Sequence, residues 1–162
     1  MTTASDDRVA LSDLLFGFAL AIDTRDWVAY RNVFTDRIDL DYSSYRPGSA
    51  GPISADAWVD RARRLFPGLA GSQHSISNVR IAFEPRGDRA TLTSYVRADH
   101  YLPNDQGDSL WTLGGIYTHA AVRTDDGWRF DGVTLRMLWN HGNRHVMTLG
   151  AERAANVPPP RS

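Results

Sequence analysis

The sequence predicts an α+β fold in which helices come first and a strongly curved, mainly antiparallel sheet wraps around them. Three observations predict it. Helical apolar periodicity is confined to the segments before about Phe66, the segments after it read as long strands, and short turns rich in Gly and Asp join those strands. A length of 162 residues suits one domain of ordinary size.

Leu11, Leu14, Leu15, Phe18 and Ile22 recur at helical spacing and predict a first helix from about Asp6 to Ile22, with Asp23 at its end. Trp27, Tyr30 and Phe34 predict a short second helix, with Asp26 supplying negative charge at its first turn. From Arg37 to Tyr42 the residues alternate, which predicts a strand with Ile38, Leu40 and Tyr42 facing inward. Residues 43–52, rich in Ser, Gly and Pro, read as a loop. Ser54, followed by Asp56 and Ala57, caps a third helix through about Phe66, with Trp58, Ala62 and Leu65 as its apolar side.

Pro67, Gly68 and Gly71 end that helix, and strands follow at about 73–83, 89–101, 109–123 and 128–139. Strands of that length must bend. The break in parity between Ile76 and Val79 and the Gly114-Gly115 pair are the expected bulges. Residues 1–145 are expected to form a single domain and 146–162 a C-terminal extension, mobile at its proline-rich end.

Composition excludes several chemistries. All 18 basic residues are arginine, so no lysine amine exists for a Schiff base, a pyridoxal cofactor or a phosphate-binding P-loop. Cysteine is absent, which removes thiol nucleophiles and thiolate metal sites. The net charge of -1, with arginines scattered among acids, offers no field for a phosphate backbone, and nucleic acid is not an expected partner. Acids stand where a signal peptide carries positive charge, and no apolar run reaches the roughly 18 residues needed to span a bilayer. A cytoplasmic protein without membrane association is expected.

Imidazole, carboxylate and phenol remain. His74 lies near the start of one strand on the parity of Ile76, and His100 ends the next on the parity of Ala90, Leu92, Val96 and Ala98. Both histidines therefore point inward. Asp23 continues the apolar stripe of the first helix; it either caps the turn into the second helix or pairs with an inward histidine. A carboxylate beside an imidazole fixes its tautomer and makes it a competent general base. His119 fits either face of its strand. His141 and His145 are four residues apart, but Gly142 argues against a helix and no acid accompanies them, so no metal site is expected. Tyr42, Tyr45, Tyr117 and Trp139 are the aromatic candidates for lining a substrate pocket.

Several segments together resemble a known family. They are Ala21-Ile22-Asp23-Thr24-Arg25-Asp26-Trp27, Ile38-Asp39-Leu40-Asp41-Tyr42, Gln73-His74, Arg97-Ala98-Asp99-His100 and Asp126-Gly127-Trp128-Arg129-Phe130. In order and spacing, from about residue 8 to 140, the chain is similar to scytalone dehydratase and its relatives in the SnoaL-like branch of the NTF2-like superfamily. The resemblance implies a cone-shaped α+β barrel and a dehydration that uses neither cofactor nor metal. By position it implies His74 as general base and then acid, Asp23 as its partner, His100 as a second pocket histidine, and Tyr42 as a residue that polarises a substrate carbonyl. Related dehydrochlorinases and bile-acid dehydratases pair an aspartate with a histidine in the same way.

Ile22 and Tyr117 depart from the pattern, standing where scytalone dehydratase has a tyrosine and an asparagine. The expectation is a lyase acting on a cyclic, partly apolar carbonyl compound of polyketide, terpenoid or steroid type. An isomerase or cyclase using the same pair, or a non-catalytic ligand-binding module, are the alternatives. A homo-oligomer, dimer or trimer, is expected because the open sheet face of such a cone needs covering.

Overall fold

A computed structural model describes residues 3–156. Helix α1 spans Ala4–Thr24, α2 Trp27–Asn32, α3 Ala55–Arg63 and α4 Val146–Ala154, with a 3-10 turn at Phe66–Gly68. The strands are β1 Phe34–Asp41, β2 Ala50–Ser54, β3 Gly71–Phe83, β4 Arg89–Tyr101, β5 Leu110–Thr124 and β6 Gly127–Gly142. They form one curved, open sheet in the order β2-β1-β6-β5-β4-β3, in which only the β1–β6 pairing is parallel. The expected α+β architecture is therefore the observed one.

The concave face of the sheet holds α1. Leu11, Leu15, Phe18 and Ile22 are buried against it, and the Phe18 ring meets those of Tyr30, Phe34, Tyr117 and Phe130. At the other end of α1, the buried Asp7 accepts a hydrogen bond from Trp128 Nε1 at 3.1 Å and pairs with Arg123 at 2.5 Å. Both contacts fasten the helix to the β5–β6 hairpin. Asp26 caps α2 by accepting from the Ala29 amide, and Ser54 caps α3 by accepting from that of Ala57.

Curvature comes from breaks in register. The β3–β4 ladder shifts between Ser77 and Arg80, and β5–β6 shifts between Gly114 and Gly115 and again between Ala120 and Ala121. The first two are the bulges expected from the sequence. An extra residue on one strand bends it and reverses which side chains face inward beyond that point.

Two local expectations need correction. The second helix stops at Asn32, and Phe34, read as its last apolar position, instead opens β1 opposite Phe130. Residues 50–52 of the expected loop instead belong, with Ile53 and Ser54, to the edge strand β2, where Pro52 is tolerated because one side needs no ladder bond. Residues after 145 begin with a helix: Val146 is buried, and α4 packs on the 3-10 turn with Gly68 against Gly150. The proline-rich end expected to be mobile lies outside the described residues from 157 onward.

Candidate active site

Inside the cone is a cavity of about 540 Å³, lined mainly by apolar and aromatic side chains. Its inner wall carries His74 and His100, flanked by Phe18, Phe66, Trp111, Leu113 and Tyr117. Its rim is formed by the 42–49 loop, α3 and α4.

Asp23 sits in the last turn of α1, where the helix dipole disfavours a carboxylate and no basic residue lies in the turn itself. Compensation comes from β3 instead. Asp23 Oδ2 accepts from the His74 amide at 2.6 Å, while Oδ1 accepts from the Ser72 hydroxyl at 2.8 Å and lies 2.8 Å from His74 Nδ1. Burial by itself would raise the Asp23 carboxyl, but the bonds and charge of His74, with Ser72, more than offset it and hold the group below the usual carboxylate range. Of the two readings of Asp23, the pairing with His74 is the one observed; Asp26 makes the cap.

Arg25 completes the corner. It ends α1 in the left-handed conformation at φ 61°, unusual for a residue with a side chain. Its guanidinium donates to the Asp23 carbonyl, to Ser72 Oγ at 3.3 Å and to the Phe66 carbonyl at 3.1 Å. These bonds tie the end of α1 to β3 and to the 3-10 turn.

The pairing of Nδ1 with a carboxylate assigns the proton to that nitrogen and leaves the lone pair on Nε2. His74 lines the cavity with only 6 % of its side chain exposed. In the β3–β4 register Ser72 faces His100 and His74 faces Ala98, which puts the imidazoles on one face with centroids 5.7 Å apart, edge to face. Burial, and then the charge of His74, lowers His100 to about 4, so its ring is neutral near pH 7.

Tyr42 and Tyr117 approach each other in the cavity wall, with hydroxyls 3.4 Å apart. Burial raises both phenols, Tyr117 to about 12, so each stays protonated and able to donate. Tyr45 also lines the cavity and stacks obliquely on Trp111. Trp139 is not brought there. It lies on the convex face over Gly114, 50 % exposed, because the bulge at Leu138 reverses the parity that runs inward through Leu135 and Met137.

His119 faces inward beneath the cavity, fully buried between Phe18, Tyr117 and Phe130, and neither ring nitrogen has a hydrogen-bond partner among the described residues. His141 is the penultimate residue of β6, whereas His145 precedes α4 with its Nε2 3.1 Å from Gln106. No group of three potential ligands that could hold a metal occurs among the described residues. The sequence reading missed Ser72, which shares the parity of His74, and Arg25, which stands inside a motif it had noted.

Fold and cavity together define an NTF2-like cone with His74 in its wall and Asp23 paired behind it. The SnoaL-like domain family matches residues 3–134, and the chain belongs to that family. A curated relative, terrestric acid biosynthesis cluster protein E of Penicillium crustosum, is 24% identical over 148 residues, covering 88% of this chain and 90% of the relative. Among solved structures, the Kfla4162 protein from Kribbella flavida is 28% identical with a TM-score of 0.84, covering 90% of this chain and 99% of its own. A Novosphingobium aromaticivorans protein provisionally assigned as a scytalone dehydratase shares the fold at 20% identity and TM-score 0.74, with 85% and 87% covered. So does hexachlorocyclohexane dehydrochlorinase LinA-type3 from Novosphingobium barchaimii, at 18% and 0.70, with 85% and 90% covered. No helix among the described residues is long and apolar enough to cross a membrane.

Proposed function

We propose that this protein is a lyase of the dehydratase type, which eliminates water from a cyclic, partly apolar carbonyl compound without a cofactor. The observation that carries the reading is His74 in the wall of an open cavity, paired through Nδ1 with Asp23 behind it, with Nε2 as the nitrogen left to accept a proton. His74 takes the acidic proton α to the carbonyl, and the C–H electrons move into an enolate. The enolate then re-forms the carbonyl as the β C–O bond breaks. The imidazolium returns the proton to the departing hydroxyl, so water leaves and His74 ends neutral.

Asp23 orients the ring and stabilises the imidazolium between those two transfers. Tyr42 and Tyr117 supply protonated hydroxyls for the enolate oxygen, the atom on which charge develops. His100, neutral and 5.7 Å from His74, positions the substrate without competing for its charge. Elimination is also the chemistry named for the dehydrochlorinase that shares this fold. An open cavity, rather than a cone filled by side chains, favours catalysis over a purely structural module.

The test is a panel of cyclic β-hydroxy ketones followed by NMR in D2O. Wild-type protein should produce the enone, and His74→Ala should be slower by about 10²–10⁴-fold, the usual contribution of a general base. Product of unchanged mass would make the enzyme an isomerase or cyclase. Full turnover by His74→Ala would remove the assignment. Tyr95, Tyr101, Leu110 and Trp139, exposed on the convex face, support assembly into a homo-oligomer.

A further inference from the structure

We infer that the substrate is an anion, a ring compound carrying a carboxylate or comparable acidic group, held by Arg46, Arg61 and Arg64 at the cavity mouth. This rests on the reading of His74 as the base, since it specifies what the same cavity admits. Among the described residues, twenty-four line the cavity; three of them are these arginines and none is Asp or Glu. None of the three makes an ion pair with an acid among the described residues. Some other arginines are matched, Arg31 with Asp36 and Asp56, Arg89 with Asp131 and Glu84, Arg97 with Asp99 and Arg123 with Asp7, while Arg37, Arg80 and Arg136 make no ion pair among the described residues; what distinguishes Arg46, Arg61 and Arg64 is that they meet at one cavity with no acid in its lining.

Arg63 is the instructive neighbour. It belongs to the same helix, α3, does not line the cavity, and lies 3.7 Å from Asp60. Positive charge near a helix C-terminus is favourable in itself and could account for Arg61 and Arg64. It does not account for Arg46, which reaches the same mouth from the 42–49 loop. Unpaired charge of one sign around a low-dielectric cleft concentrates the field there and raises the local concentration of the opposite ion. Guanidinium groups suit carboxylates because their planar N–H pairs match both oxygens.

The interior has the complementary character. Phe18, Trp111 and Leu113 offer apolar surface, Tyr42 and Tyr117 offer hydroxyls, and the carboxylate of Asp23 lies behind His74, which disfavours a second carboxylate at depth. A ring compound therefore enters ring first with its acid group outward. That orientation presents the ring carbons, rather than the acid, to His74 Nε2.

Calorimetric titration with 2-naphthoate and with 2-naphthamide, its uncharged counterpart of the same shape, tests the inference. Wild-type protein at low ionic strength should bind naphthoate about tenfold more tightly, with the preference shrinking in high salt. A variant combining Arg46→Gln, Arg61→Gln and Arg64→Gln should bind both probes alike, while Arg63→Gln should keep the preference. Because all three side chains are exposed, the variant should melt with wild type; should it not, the single variants should each lose part of the preference.

Equal binding by wild type, failure of naphthoate to bind at millimolar concentration, or a preference that survives loss of all three arginines overturns the inference. His74→Gln should retain the preference, which separates the two proposals. Anion preference without proton transfer removes only the lyase reading. Proton transfer without anion preference removes only this one.

Discussion

Asp23 stands at the negative end of its helix and is stabilised there by a neighbouring strand, so removing its charge should relax the helix end while disabling the imidazole. Asp23→Asn is expected to cut kcat by about 10²-fold or more with little loss of substrate affinity, since the amide cannot hold the Nδ1–H tautomer or stabilise the imidazolium. Steady-state kinetics would show the split between kcat and KM. The buried histidines make a separate prediction about acid. Burial holds His100 at about 4 and His119 at about 3, against 6.5 ordinarily. As pH falls below 6.5 the unfolded chain binds protons that the folded chain refuses. Stability present above that value is thus lost progressively down to the folded values, by an amount on the order of 3 kcal/mol for His100 alone. Among the described residues, His119 has no hydrogen-bond partner for a substitution to lose. His119→Leu should therefore raise the urea midpoint at pH 7 and flatten its fall toward pH 4; an unchanged slope would show that His119 is not the titrating group.

Among the elements, α4 helps to close the cavity. Residues Met147, Thr148 and Ala151 of α4 form part of the mouth. The helix can lie there because Gly68 meets the Gly150 carbonyl directly: a Cβ at Gly68 would overlap that oxygen, and one at Gly150 would come within 2.8 Å of Leu69 Cδ2. Gly68→Ala is expected to destabilise the protein by about 1–3 kcal/mol and to loosen α4 selectively. Hydrogen exchange should quicken in residues 146–154 while β4 and β5 remain protected. The first helix and the four long strands were legible because each repeats one period over many residues. α4 and β2 were not legible: Gly150 interrupts a nine-residue helix, and five residues containing Gly51 and Pro52 carry no alternation. Trp139 shows the limit of period itself. A bulge near Gly114 was expected, but which residue of the partner strand it would expel, and hence which side Trp139 would take, depends on the β5–β6 pairing.

For the whole molecule, the sheet has one face packed on α1 and the cavity, and a convex face that leaves Tyr95, Tyr101, Leu110 and Trp139 at 41% to 51% exposure. These residues share the outer face of neighbouring strands, and a second copy is the expected cover. Light scattering should give a multiple of the 18.1 kDa chain mass for wild type and one chain mass for Trp139→Glu, with the fold of the variant unchanged by circular dichroism. A monomeric wild type would oppose assembly through this face. By itself the sequence determined the α+β class, the inward direction of His74 and His100, and the exclusion of amine and thiol chemistry, because parity and composition are local properties. Only the tertiary structure decided that Asp23 pairs with His74 across 51 residues, that Trp139 faces outward, and that Arg46, Arg61 and Arg64 meet at one mouth. Each of those depends on how separate elements close on one another, and no pattern within a single segment encodes it.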